Sequence, residues 1–175
     1  MFDLPVSSNT QWAVQLLTYE YLIDGYVDEK QENSNFNLNL TARGSHVNMH
    51  VTSARIQPTG ILALPGPAPV PWVLVESINL VAVIPRDEAS TTFVLKNSAN
   101  YSKYSIPAEL YVGSYLIRGK VLSPEKMLMI FEIYSTFIVQ DAEISCRLPG
   151  AQLPELTAPY VLVVASRGKL LTPLI

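Results

Sequence analysis

Few residues in this chain are of types and spacings that could do chemistry. His46 and His50 are its only histidines. At i, i+4 on a helix they would form a two-ligand metal face. The run His46-Val47-Asn48-Met49-His50-Val51-Thr52 instead alternates polar and apolar residues with period two, which is a strand pattern. Residues four apart on a strand are about 13 Å apart, too far to share one ion. We read both histidines as part of a solvated strand face. Asp141 and Glu143 fall on one side of a second predicted strand and could be taken for a catalytic carboxylate pair. A charged outer face explains them more simply. Cys146, the only cysteine, has Arg147 beside it but no histidine in its half of the chain, so a nucleophilic thiolate would lack a base. A single cysteine also excludes an intrachain disulfide and a thiolate metal site. There is no glycine-rich phosphate loop, no Gly-x-Ser-x-Gly elbow and no dinucleotide fingerprint. The reading is therefore against an enzyme, with no cofactor and no metal.

Recognition is the other chemistry on offer. Leu64-Pro65-Gly66-Pro67-Ala68-Pro69-Val70-Pro71 suits a polyproline ligand for a partner, or a stiff connector that keeps an exposed loop from pairing as a strand. Basic residues stand singly apart from Arg167 and Lys169, and 12 Lys+Arg against 15 Asp+Glu leave a formal net charge of −3. A long nucleic-acid track needs concentrated cations, so only a small local site stays open. The chain is 49% hydrophobic and 15% charged, against about 25% charged in ordinary soluble domains. So little polar surface points to an oligomer or a tightly fused pair of units.

The elements that carry these residues occur twice. Tyr21-Leu22-Ile23-Asp24-Gly25-Tyr26-Val27 recurs as Tyr115-Leu116-Ile117-Arg118-Gly119-Lys120-Val121, at an offset of 94 (115 − 21). Val51-Thr52-Ser53-Ala54-Arg55-Ile56 is answered by Val139-Gln140-Asp141-Ala142-Glu143-Ile144, and Pro71-Trp72-Val73-Leu74-Val75 by Pro159-Tyr160-Val161-Leu162-Val163, both at 88 (139 − 51). Three blocks in the same order indicate an internal duplication. The shorter second offset places about six extra residues in the first copy, at the polar run Asp28 to Asn33.

We divide the 175 residues into a lead-in (1–11), repeat one (12–85), a polar linker (86–105) with a possible strand at Thr91–Leu95, and repeat two (106–175). Each repeat opens on a bent hairpin, with Gly25 and Gly119 letting the second strand curl. Ser123-Pro124-Glu125 is a helix-start signal, so a short helix is expected to about Phe131. Its counterpart, Ser34 to Leu40, reads by position as a short helix and by alternation as a strand. Third strands follow at His46–Gln57 and Thr136–Cys146. Closing strands run over Trp72–Ile84 and Tyr160–Thr172, each broken near its middle, at Ser77–Asn79 and Ser166–Gly168. The fold class expected is mainly β: two tandem small barrel-like repeats, each of about five short strands and one short helix, packed as a pseudo-dimer. The N-terminus Met1-Phe2-Asp3-Leu4-Pro5 lacks the basic region of a secretory signal, and no apolar run approaches the ~20 residues of a membrane span. The expectation is a soluble, cytoplasmic protein.

The order of these blocks resembles the Sm-like small barrel. Phe137-Ile138-Val139-Gln140-Asp141-Ala142-Glu143 is similar to that family's third strand, which ends in an Asp-Ala-Glu-like element. Val161 to Leu171, containing Arg167-Gly168, is similar to its last motif of apolar strand, Arg-Gly and apolar strand. The chain departs from the family in three ways. RNA-binding members carry an asparagine two or three residues before the Asp-Ala element, where this chain is apolar. The family's helix usually precedes the first strand, and repeat one has Asn79 but no Arg-Gly. The layout is also similar to short bacterial proteins of no known activity. The resemblance implies an architecture and, as an alternative function, RNA binding near Arg167 and Lys169 with Tyr160 or Tyr134 for stacking.

The function expected is a non-enzymatic structural or assembly protein, acting through protein–protein interaction and self-association as a homo-oligomer or with a protein partner. The alternatives are an Sm-like RNA-binding module and a small-ligand sensor using a cleft between repeats. The candidate interaction residues are Arg55, Glu143, Arg167, Lys169 and Tyr160. Arg55 and Glu143 hold equivalent places with opposite charge, and around a pseudo-twofold axis they would approach one another.

Overall fold

The computed structural model describes residues 11–28, 48–59, 68–76, 79–97, 104–123, 136–151, 153–164 and 169–173. Runs rich in apolar and β-branched residues make the first half five strands: β1 (Gln11–Thr18), β2 (Tyr21–Asp28), β3 (Asn48–Pro58), β4 (Ala68–Glu76) and β5 (Leu80–Pro85). Helix α1 (Glu88–Asn97) leads to β6 (Tyr104–Val112), β7 (Tyr115–Ser123), β8 (Thr136–Cys146), β9 (Leu156–Val164) and β10 (Lys169–Pro173). Thr18 fixes the first hairpin turn, its hydroxyl accepting from the Tyr21 N–H at 2.9 Å and donating to the Tyr21 carbonyl at 3.1 Å.

The strands form one antiparallel sheet in the order β10-β6-β7-β8-β9-β5-β1-β2-β3-β4. Each half contributes the same local order, its last strand beside its first and its fourth at the far side. The duplication extends to register. Leu16 lies opposite Val83 and Leu110 opposite Leu171; Val14 lies opposite Gly25 and Ala108 opposite Gly119. The Thr59 N–H donates to the Glu20 carbonyl at 2.8 Å, and its twin, the Arg147 N–H, donates to the Ser114 carbonyl at 2.7 Å.

Both glycines sit where their strand slips register, between Asp24 and Tyr26 and between Arg118 and Lys120. A Cβ on Gly25 would come 2.5 Å from Val51 Cγ1, and one on Gly119 2.6 Å from Val139 Cγ1. Across from each, a residue adopts left-handed backbone, Ser53 at φ 50° and Asp141 at φ 52°. These are paired bulges, and bulges bend a strand and increase its twist.

The two halves meet where β5 pairs with β9, Ala82 opposite Val163 and Val83 opposite Leu162. All six residues of β5 are buried, as expected of a strand covered on both faces. The core forms two clusters, and β5 feeds both: Val81, Ala82 and Ile84 join one, Leu80 and Val83 the other. Each valine, leucine or isoleucine among them, fully withdrawn from water, contributes about 1.5–3 kcal/mol.

Several expectations need correction. Among the described residues the sheet is a single open one, not closed. The halves are related by head-to-tail repetition, because the last strand of one pairs with the fourth strand of the other; a twofold would pair like with like. The suspected strand at Thr91–Leu95 lies inside α1. Its β-branched residues favour strands, but Asp87 caps the helix, accepting from the Ser90 N–H at 2.7 Å. Phe93 and Val94 then bury themselves, and the Phe93 ring stacks on Trp12 at 4.4 Å. Tertiary packing overrides propensity here. Ala68–Pro71, read as part of a connector or polyproline ligand, begins β4. An edge strand tolerates proline because its outward N–H has no ladder partner. The helices expected at 34–40 and 124–131 lie outside the described residues, as does His46. Among the described residues, no helix is long and apolar enough to cross a membrane.

Candidate interaction edge

Four large hydrophobic residues are exposed among the described ones, Tyr26, Leu148, Trp72 and Leu74, and the two most exposed lie together on β4, at one end of the sheet. Trp72 is 56% exposed and Leu74 54%. The twin of Leu74 in the second half is Leu162, which is 1% exposed. The two strands share Pro, Val, Leu and Val in the same order, so their composition does not explain the contrast. Their neighbours do. β9 lies between β8 and β5, whereas among the described residues β4 is a terminal strand beside β3 alone. His50 on β3 flanks the edge, its ring centroid 5.6 Å from that of Trp72.

Beside this edge lies a cleft of about 730 Å³, lined by Tyr21, Ile23, Ile56, Val73, Leu74, Glu20 and Glu76 among others. At the equivalent place in the second half, residues of the first half pack in. Tyr115, the twin of Tyr21, is 1% exposed, and its hydroxyl shares a 2.6 Å hydrogen bond with the Thr59 hydroxyl. The same hydroxyl donates to the Tyr19 carbonyl at 3.4 Å. Burial pushes the Tyr115 phenol up to about 12, against a smaller downward pull from the Thr59 hydrogen bond. At the adjoining turn Gly113 has φ 58°, and a Cβ there would lie 2.7 Å from the Tyr19 ring. The Tyr19 ring therefore seats closely on Gly113, the turn residue of the second half that has no side chain.

The charged candidates are distributed differently. Arg55 is exposed on β3 opposite Asp24, and Glu143 is exposed on β8 opposite Arg118. Strands β9, β5, β1 and β2 separate β8 from β3, so Arg55 and Glu143 do not meet as expected around a twofold. Instead each half balances its own charge. Asp24 accepts from Arg86 Nη1 at 2.8 Å and from Gln15 Nε2 at 3.0 Å. In the second half the polarity is reversed: Arg118 Nε donates to Glu109 at 2.6 Å, and the Tyr111 hydroxyl donates to the same carboxylate at 2.8 Å. The Tyr111 hydrogen bond and then Arg118 hold the Glu109 carboxyl below its usual range.

Asp141, the other half of the supposed carboxylate pair, accepts from Lys120 Nζ at 2.8 Å. Tyr160 lies half-buried on β9, and the side chains of Arg167 and Lys169 lie outside the described ones. Among the described residues, no group of three His, Cys, Asp or Glu side chains could hold a metal ion. Cys146 is a half-buried free thiol.

The sequence reading missed Trp72, Leu74, Tyr21, Glu20 and Glu76. The twin comparison held the signal: only one of two near-identical strands can occupy the inside of an open sheet. Comparison of the chain with family models, curated proteins and solved structures finds no match.

Proposed function

We propose that this chain is a non-enzymatic assembly protein that acts through protein–protein interaction and self-association, with β4 as its docking edge. The observation that carries this reading is the exposure of Leu74 beside the burial of its twin Leu162. A terminal strand offers unpaired N–H and C=O groups to another chain, and proteins that avoid such pairing protect their edges with charge or proline. Pro69 and Pro71 protect the first part of β4, while Trp72 to Val75 carries neither charge nor proline. Covering two large side chains that are each about half exposed contributes ~2 kcal/mol beyond the backbone hydrogen bonds gained.

We further propose that the halves are two tandem Sm-like repeats joined in one open sheet. The repeated strand order and the helix placed directly before the first strand of the second half support this. Light scattering over a concentration series tests the assembly reading: mass should rise with concentration, and Leu74→Lys should suppress the rise. A strictly monomeric protein at every concentration would falsify it.

A further inference from the structure

The sheet ends in the twins of the two strands that meet at its centre. Among the described residues, β4 pairs with β3 alone and β10 with β6 alone. β4 is the twin of β9, and β10 is the twin of β5. We propose that a second copy of this chain lays its β10 antiparallel along β4, repeating the β5–β9 joint between molecules. This rests on the assembly reading above and adds the partner, the register and the group that enters the cleft.

The register follows from the internal joint. There Ala82 faces Val163 and Val83 faces Leu162. The twins of Ala82 and Val83 are Leu170 and Leu171 (82 + 88 and 83 + 88), and the twins of Val163 and Leu162 are Val75 and Leu74. Leu170 of the second copy therefore falls opposite Val75, and Leu171 of the second copy opposite Leu74. The exposed Leu74 gains the kind of neighbour that buries Leu162.

The cleft is explained by the same transfer. At the internal joint Thr59 closes over the Tyr115 hydroxyl. The twin of Thr59 is Arg147 (59 + 88), and the twin of Tyr115 is Tyr21 (115 − 94). Arg147 is exposed, and its N–H already makes the bond to the Ser114 carbonyl that Thr59 makes to Glu20. In the intermolecular joint Arg147 of the second copy enters the cleft over Tyr21, where Glu20 and Glu76 form part of the wall.

At the internal joint the corresponding residues are Thr59, Ser114 and Val164, none of them charged. The guanidinium and the two carboxylates are complementary, so charge favours the intermolecular joint specifically. A head-to-tail joint of this kind builds a ring if its rotation closes and a filament if it does not.

Cysteine cross-linking tests the register. Cys146→Ser removes the native thiol. In that background, chains carrying Leu74→Cys are mixed with chains carrying Leu171→Cys and oxidised. The expected result is a disulfide-linked heterodimer, with about tenfold less from Leu74→Cys mixed with Thr172→Cys, which is one residue out of the proposed register. Equal yields from both mixtures, or none from the first, overturn the register. Circular dichroism checks each chain for native sheet. If Leu171→Cys fails that check, Val75→Cys with Leu170→Cys reads the same register one residue along.

Arg147→Glu should weaken association about tenfold, and Glu20→Arg with Glu76→Arg in the same chain should restore it. Unchanged association in Arg147→Glu overturns the cleft assignment. An oligomer whose cross-links miss this register removes only the β10 partner. A monomer at every concentration removes the assembly reading as well.

Discussion

The hydroxyl pair Tyr115–Thr59 gives the sharpest test of how the halves are joined. Both residues are 1% exposed and 2.6 Å apart, so neither hydroxyl can turn to water when its partner is lost. Tyr115→Phe leaves the Thr59 oxygen buried without that partner, a loss of about 1–3 kcal/mol. Thr59→Val should cost less, about 1 kcal/mol, because the Tyr115 hydroxyl retains the Tyr19 carbonyl at 3.4 Å. Replacing both hydroxyls together removes the bond and both stranded groups, so the double variant should lose less than the sum of the singles. The expected coupling is about 1 kcal/mol. Urea denaturation of the four proteins at one low concentration measures it, using midpoints to limit extrapolation error. Single effects that add to within about 0.3–0.5 kcal/mol would show that this bond does not hold the halves together.

Three further outcomes are expected. Gly119→Ala, whose Cβ would meet Val139 Cγ1 at 2.6 Å and the Gln140 carbonyl at 2.7 Å, should lose about 1–3 kcal/mol by overpacking, read as a lowered Tm. Trp12→Ala and Phe93→Ala should show a coupling of about 0.5–1.5 kcal/mol in thermal or urea unfolding, since their rings stack at 4.4 Å and 13°; independent effects would mean that α1 is not anchored there. Stability should also fall in acid. The folded pKa values of Glu109 and Asp87 are depressed, Glu109 chiefly by the Tyr111 hydroxyl and Asp87 by Ser90. Their contribution is complete above the ordinary carboxylate range and is lost as pH falls below that range through the depressed values. Glu109→Gln should make the midpoint-against-pH curve shallower there, and an unchanged slope would contradict the assignment.

Much of the scaffold was legible because a duplicated chain states its core twice. The offsets of 94 and 88 located both hairpins, both third strands and the breaks that separate β4 from β5 and β9 from β10. Gly25 and Gly119 marked the curled strands, although the reason is a close approach by Val51 and Val139 that no local pattern reveals. Three features were not legible, each for a physical reason. Pairing between β5 and β9 is made by backbone groups, which every residue carries alike. The helix at Glu88–Asn97 is hidden in a β-branched run and stabilised by its cap and by contact with Trp12, which lies 81 residues before Phe93 (93 − 12). The exposure of Trp72 and Leu74 depends on which copy of the strand lies at the end of the sheet, a property of the whole assembly of strands and not of the segment.

The double burial of β5 has a thermodynamic consequence. Its residues wall both hydrophobic clusters, so neither half can open without stripping one side of the other's core. A chain with two similar halves of this length would be free to melt in two steps, each marginal by itself. With a shared wall, the loss of one half exposes the other to water, and the two should unfold as one cooperative unit. The amides of β5 should then exchange with solvent only through global unfolding, and their protection would report the stability of the entire molecule.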